Sequence, residues 1–366
     1  MLKIISVGGT RPNFIKIAPL VNEFNNHKKI KHILVHTGQH YDETMSKIFF
    51  LDLDIPKPDI NLGVGSASDT TQTARIMIEL EKVIIRENPN LVVVVGDVNS
   101  TLAAALTARK CKIDVAHVES GLRSFDLQMP EETNRILTDH VSSFLFTTEE
   151  SANRNLIKEG IDENKIFFVG NVMIDTLLKH REKAKDSDVL QKLKLKKKGY
   201  AVVTLHRPSN VDNINPLENI ISIIEKIQEK IKIVFPVHPR TLKNLRKHGF
   251  ENKLKNLGNL ILTEPQGYLD FLCLLSNSKF IITDSGGIQE EATILQIPCI
   301  TLRNNTERPV TVEQGTNLLV STNKDKIIFA SMEILKGVKI KSGIPYLWDG
   351  SAAKRIVKIL ISRLEQ

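Results

Sequence analysis

The residues able to do chemistry gather where apolar runs stop. At residues 280–292 a β-type run, Phe280-Ile281-Ile282-Thr283, ends in Asp284-Ser285-Gly286-Gly287, and a helix-forming segment with Glu290 and Glu291 side by side follows. A strand that turns sharply into a helix leaves backbone N–H groups pointing at open space, and these suit a phosphate. Glycines let the backbone approach such a group closely. Two glutamates carry the phosphate's own sign, so one of them makes better sense gripping sugar hydroxyls, as the acidic residue of a dinucleotide fold does. The stretch reads as a nucleotide-binding turn with a ribose hook.

A second group is acidic. Gly96-Asp97 follows the run Leu91 to Val95, Glu119-Ser120-Gly121 follows Val115 to Val118, and Met129-Pro130-Glu131-Glu132 comes soon after. Asp97 would ordinarily be an N-cap. Asn99 and Ser100 can serve as caps, which leaves Asp97 to face a ligand. Pro130 followed by two glutamates is a good helix start on dipole grounds, a reading that fits Glu132 better than Glu131. Asp97, Glu119 and Glu131 could therefore surround one pocket, and crowded carboxylates repel until one holds a proton. One protonated and one ionised carboxyl are what proton transfer at carbon requires.

Basic turns complete the set. Gly8-Gly9-Thr10-Arg11 with Lys16 one turn on forms an anion pocket. His206-Arg207 and His238-Pro239-Arg240 end two later strands, and Arg303 to Pro309 forms a polar loop. The histidines lack the close carboxylate or thiolate pairing of a metal site, so no metal is expected. A Walker-type loop and a complete G-x-G-x-x-G are both absent.

These turns need strands to position them. Strand-like runs at 3–8, 32–37, 91–96, 115–118, 144–147 and 166–169 alternate with helical patterns. A polar, lysine-rich stretch interrupts, and the rhythm restarts at 200–205, 232–236, 260–263, 280–283, 298–302 and 317–320. Nearly continuous apolar strands such as Leu91 to Val95 fit parallel sheets covered on both faces. The expected fold is α/β, with two doubly wound domains and a cleft between them: residues 1–171 joined by a C-terminal helix at 352–366, and residues 172–351.

At 366 residues the chain can support two such cores. Aromatics are only 5% of residues, too few for a nucleic-acid stacking platform. The net charge of +8 favours anionic ligands, but the one lysine tract, 192–198, reads as a solvated helix end or linker. No nucleic-acid partner is expected. Cys111, Cys273 and Cys299 are far apart and lie in or beside apolar runs, so all three should be buried thiols. With no leader-like or membrane-length apolar run, a cytoplasmic location without membrane association is expected.

Taken in order, Gly9-Thr10-Arg11-Pro12 with Lys16, Thr37-Gly38-Gln39-His40, Gly96-Asp97, His117 to Arg123, Pro130 to Arg135, Gly170-Asn171, Asp284 to Glu291 and Thr306 to Pro309 resemble the non-hydrolysing UDP-N-acetylglucosamine 2-epimerases. The resemblance implies a GT-B architecture of two Rossmann-like domains, with UDP held mainly by the second. It implies reversible C2 epimerisation through loss of UDP, a 2-acetamidoglucal intermediate and re-addition, with no cofactor. Asp97, Glu119, Glu131, His206, Arg11 and Lys16 match the catalytic positions, and Ser285, Gly286, Gly287, Glu291 and Arg308 the UDP-binding ones. Gln39, His40 and His238 match the site of a second, activating UDP-GlcNAc, and a homodimer is implied. The turn Thr204 to Asn210 departs from the Gly-His-Arg-Arg-Glu form of many members, as does Tyr41-Asp42 after His40. A UDP-2,3-diacetamido uronate epimerase and a GT-B glycosyltransferase are the alternatives.

Overall fold

The computed structural model describes residues 1–39, 50 and 52–365. It divides into two compact units, Met1–Lys179 with Tyr346–Gln366, and His180–Pro345.

Among the described residues the first unit holds a parallel sheet of seven strands. They are β1 (Leu2–Gly8), β2 (Ile30–His36), β3 (Ile60–Asn61), β4 (Leu91–Val95), β5 (Asp114–Ser120), β6 (Phe144–Thr147) and β7 (Ile166–Phe168), in the order β3-β2-β1-β4-β5-β6-β7. β3 lies outside the sequence-based expectation because two residues, paired with Val35 and His36, carry no periodicity. Every residue of β4 is fully buried, as a strand covered on both faces must be. One face of the sheet packs Ile5, Val35, Val92 and Val94 against Leu80 and Ile84 of helix Asp69–Glu87 and Ala104 and Ala108 of helix Asn99–Lys110. The alanines favour helix and let it lie close to the strands.

The second unit has six parallel strands, β8 (Tyr200–Thr204), β9 (Lys232–Pro236), β10 (Leu260–Thr263), β11 (Ile281–Thr283), β12 (Cys299–Thr301) and β13 (Asn317–Leu319), ordered β10-β9-β8-β11-β12-β13. Val203, Phe235, Ile282 and Ile300 pack on Leu217, Ile220, Ile221 and Ile224 of helix Ile214–Gln228. Strand order reverses between β1 and β4 in one sheet and between β8 and β11 in the other. A ligand crevice is expected at such a switch point, beyond the strand carboxyl ends.

The boundaries fall after Lys179 and before Tyr346, whereas the sequence reading drew them after 171 and before 352. Tertiary bonds account for the difference. Thr176 Oγ1 donates to the Ile15 carbonyl at 2.6 Å, and Trp348 Nε1 to the Thr148 carbonyl at 2.9 Å. Asp175 accepts from Ala352 N at 3.1 Å and Ala353 N at 2.7 Å, so it caps the C-terminal helix Ala352–Leu364. Cys273 and Cys299 are buried, with the Cys299 thiol pushed up to about 12 by burial, but Cys111 is only half-buried. It is the C-cap residue of helix Asn99–Lys110 and packs against the edge of that unit's core. Among the described residues no helix is long and apolar enough to cross a membrane.

Gly170 takes a φ of +85°, and a Cβ there would lie 2.1 Å from the Leu347 carbonyl oxygen. Gly160 has nearly the same φ, +83°, but open space around it. Gly170→Ala should cost about 3 kcal/mol or more in chemical denaturation and Gly160→Ala about 1 kcal/mol, the excess at 170 reporting the lost approach of the C-terminal segment.

Candidate active site

In the first unit the start of helix Arg11–Asn25 is tied to both strands of the switch point. Asn13 Oδ1 accepts from Gly9 N and Thr10 N, each at 3.2 Å, while Asn13 Nδ2 donates to the Val95 carbonyl at 3.0 Å. Half-buried Arg11 is the first helical residue, and Lys16 lies one turn later with 6% exposure. Lys16 Nζ donates to Glu119 Oε1 at 2.7 Å, with both side chains nearly sealed from solvent. A Cβ on Gly96 would sit 3.1 Å from the same Nζ, so a side chain there would crowd the pair.

Glu119 itself has a φ of +73°, in the left-handed region that non-glycine residues avoid. It lies where the β5–β6 register shifts between Val118 and Ser120. An irregularity here re-aims a side chain at the end of a strand.

Asp97 departs from its expected surroundings. The N-cap position of helix Asn99–Lys110 is Val98, with no side-chain cap, and Ser100 instead donates to Gln39 Oε1 from N at 3.1 Å and from Oγ at 2.6 Å. Asp97 Oδ2 is held by Arg135 Nη2 at 2.7 Å and Nε at 3.1 Å, and Asn134 Nδ2 donates to the Asp97 carbonyl at 2.9 Å. Arg135 Nη1 also meets Glu132 Oε2 at 2.5 Å. Glu132 is buried and accepts from Ser124 N and Phe125 N, so its part is structural, whereas Glu131 is half-buried at the start of helix Pro130–Val141. Two of the three carboxylates expected from sequence thus each meet a cation, Glu119 on Lys16 and Asp97 on Arg135.

In the second unit Asp284, fully buried, organises the turn after β8. It accepts from His206 N at 3.1 Å, Arg207 N at 3.0 Å and Asn210 Nδ2 at 3.0 Å, and His206 Nδ1 lies 3.0 Å from its Oδ1. Burial works to raise this carboxyl, but His206, Asn210 and the Arg207 amide hold it below its ordinary value. Nδ1 being on Asp284, Nε2 is the ring nitrogen of His206 left for another partner. The His206 and His238 rings lie 5.7 Å apart, and exposed His238 accepts from Arg240 N at 3.2 Å.

Ser285 is the N-cap residue of helix Gly286–Leu295, and its hydroxyl makes no cap bond. A Cβ on Gly286 would lie 2.7 Å from Arg308 Nη1, so this glycine makes room for an arginine of its own chain. Arg308 bonds Glu290 Oε1 through Nε and Glu307 Oε1 through Nη1, both at 2.7 Å, and Arg303 Nη2 meets Glu307 Oε2 at 2.7 Å. Adjacent Glu291 meets a hydroxyl instead: Tyr268 Oη donates to its Oε1 at 3.5 Å. Burial, with Glu290 beside it, pushes the Glu291 carboxyl up to about 8, against the bond from Tyr268.

Arg135, Asp139, Asn210 and Tyr268 had no role in the sequence reading. Glu131, Arg135 and Asp139 recur at four-residue spacing, which places them along one helix face and could have pointed to the last two. No local signal links Tyr268 or Asn210 to the β11 turn. Gln39 is buried and bonded to Ser100, and His40, like Tyr41 and Asp42, lies outside the described residues. Among the described residues no cluster of three or more His, Cys, Asp and Glu could hold a metal ion.

Two parallel doubly wound units, each with charged turns at its switch point, make this an α/β protein of the GT-B kind. The family model described as UDP-N-acetylglucosamine 2-epimerase matches residues 22–361. A UDP-N-acetylglucosamine 2-epimerase of Methanocaldococcus jannaschii is 48% identical over 98% of this chain and 99% of its own. A UDP-2,3-diacetamido-2,3-dideoxy-D-glucuronate 2-epimerase of Pseudomonas aeruginosa is 39% identical over 98% and 99%. The crystal structure of an M. jannaschii UDP-GlcNAc 2-epimerase with UDP-GlcNAc and UDP superposes with a TM-score of 0.92 at 48% identity, over 99% of this chain and 100% of that one. The chain belongs to the UDP-N-acetylglucosamine 2-epimerase family.

The raised Glu291 carboxyl has a pH signature. The folded state keeps this proton up to about pH 8, while the unfolded chain releases it near the ordinary carboxylate value. Unfolding therefore releases a proton between these limits, and stability falls as pH rises through them. In the absence of nucleotide, Glu291→Gln should gain on the parent by up to about 1.4 kcal/mol per pH unit between about pH 5 and about pH 8, read from denaturation at each pH.

Proposed function

We propose that this protein interconverts UDP-N-acetylglucosamine and UDP-N-acetylmannosamine without hydrolysis. The observation that carries the reading is the pair of acidic turns at the β4 and β5 ends, with Asp97 and Glu119 each on a fixed cation, in a chain nearly half identical end to end to an enzyme of that name. Hydrogen at C2 of an N-acetylated sugar is not acidic, so its removal must be coupled to loss of a good leaving group. A carboxylate among Asp97, Glu119 and Glu131 takes the C2 proton as the C1–O bond to UDP breaks, giving a 2-acetamidoglucal. UDP then adds back at C1 while a carboxylic acid returns a proton to the other face of C2. Proton and UDP leave and return, so the sequence balances without an oxidant.

In this reading His206 and Arg11 meet the departing diphosphate, and Lys16 holds Glu119 in place. The backbone N–H groups of Ser285, Gly286 and Gly287 receive phosphate, Glu291 bonds the ribose, and Arg308 braces the turn from beneath. A neutral Glu291 carboxyl can donate as well as accept, which suits a hydroxyl. Gln39, His40 and His238 are the candidates for a second UDP-GlcNAc that activates, and the working form is a cytoplasmic homodimer. The 39% identity to the P. aeruginosa relative, with the unusual turn Thr204 to Asn210, supports a UDP-2,3-diacetamido uronate as the second reading.

Proton NMR of UDP-N-acetylglucosamine incubated with the protein in deuterated water should show the manno isomer accumulating with deuterium at C2. Asp97→Asn and Glu119→Gln should each slow that exchange by about 100-fold or more. Product that keeps protium at C2 would overturn the elimination, and free N-acetylmannosamine with UDP would point to hydrolysis instead.

A further inference from the structure

Behind the two acidic turns lies a buried group of charges that touches neither carboxylate. Asp139, in helix Pro130–Val141, has a fully buried side chain and accepts from three directions: His117 Nδ1 at 2.6 Å, Gly121 N at 3.1 Å and Arg123 Nη1 at 2.7 Å. His117, equally buried, faces the Gly96 carbonyl with its other nitrogen, Nε2, at 2.8 Å. A carbonyl only accepts, so Nε2 carries hydrogen. Asp139 remains a carboxylate because His117 and Arg123 outweigh the effect of its burial and hold its carboxyl below the ordinary value. Both ring nitrogens of His117 thus face oxygen atoms, which fixes the plane of the ring. Arg123 pairs in turn with Glu159, through Nε at 2.7 Å and Nη2 at 2.6 Å.

What this group grips is specific. Gly96 (φ +66°) precedes Asp97, and Gly121 (φ +77°) follows Glu119 by two residues, while Glu119 sits between at φ +73°. Gly96 N also donates to the Val118 carbonyl at 3.0 Å. His117 thus holds the Gly96–Asp97 peptide and Asp139 the Ser120–Gly121 peptide just beyond Glu119, while Gly96 ties the Val118–Glu119 peptide to the same strand end. A left-handed conformation at a glutamate costs of order 1–2 kcal/mol and persists only where its surroundings over-determine it. We propose that Asp139 and His117 are positioning residues that hold Asp97 and Glu119 in register for proton transfer at C2. The proposal rests on the epimerase reading above and adds to it two residues that never meet the substrate.

The test is Asp139→Asn, which keeps the shape and removes the charge that orients His117. C2 deuterium exchange should fall at least 10-fold in kcat with KM for UDP-N-acetylglucosamine within twofold, because the nucleotide site of the second unit is untouched. In ¹⁵N-edited NMR the Gly121 amide proton, which donates to Asp139, should move upfield in the variant as its acceptor loses charge. A kcat within twofold of the parent, a loss confined to KM, or an unmoved Gly121 amide would each overturn the proposal. Should Asp139→Asn fail to fold, His117→Gln, an amide that can still reach the Gly96 carbonyl, carries the same kcat and KM expectation, and unchanged kcat there is equally fatal. If the parent itself exchanges no C2 hydrogen, the epimerase reading fails separately. The Gly121 amide shift then still tests the clamp.

Discussion

Charge carried into the interior at a strand end has to meet an opposite charge or a full set of hydrogen bonds, since leaving it alone costs several kcal/mol. That requirement shapes both units more than any apolar contact at the site. Lys16 enters the protein because Glu119 is there to receive it, at 2.7 Å, and Gly96 lacks a side chain that would crowd the pair. Asp284 is buried in the second unit because two backbone amides, Asn210 and His206 converge on it. Remove one member of either group and the turn it supports loses its reason to adopt that shape.

The sheets place these pairings where they can act. With parallel strands buried on both faces, the carboxyl ends beside a reversal of strand order are the places where chain can leave the core toward a ligand. Arg11, Lys16 and Asp97 follow β1 and β4, and His206 and Ser285 follow β8 and β11. Both units thus set their polar turns at equivalent points. Their chemistry differs through what lines the turns: ion-paired carboxylates in one, a glycine-rich helix start backed by Glu290, Arg308 and Glu307 in the other.

Adjacent glutamates show how strongly placement governs character. Glu290 pairs with the Arg308 guanidinium at 2.7 Å, whereas Glu291, one residue on and also buried, has a tyrosine hydroxyl at 3.5 Å and is pushed up to about 8. A helix turns by about 100° per residue, so neighbours in sequence face different environments. Charge sign left open which of the two faces a ligand, and the resemblance to the epimerases pointed to Glu291. The physical basis for the difference lies in Arg308 and Tyr268, which reach the helix from elsewhere in the chain.

Much of the architecture was legible in the order of residues, because alternating apolar runs and helical patterns are local properties. Twelve of the strands follow from such runs, and β3 does not, being two residues whose pairing with Val35 and His36 exists only in the sheet. The strand ends also directed attention to Asp97, Glu119, His206 and Ser285. What the order of residues could not supply is which side chains meet. Arg135, 38 residues away, holds Asp97, and Gly286 also makes room for Arg308. The sequence by itself determined the element types, the two-unit plan and the inventory of charged turns. Only the tertiary structure decided the partners of those charges and the left-handed backbone at Glu119, because both depend on atoms brought together across the sheet and not on neighbours along the chain.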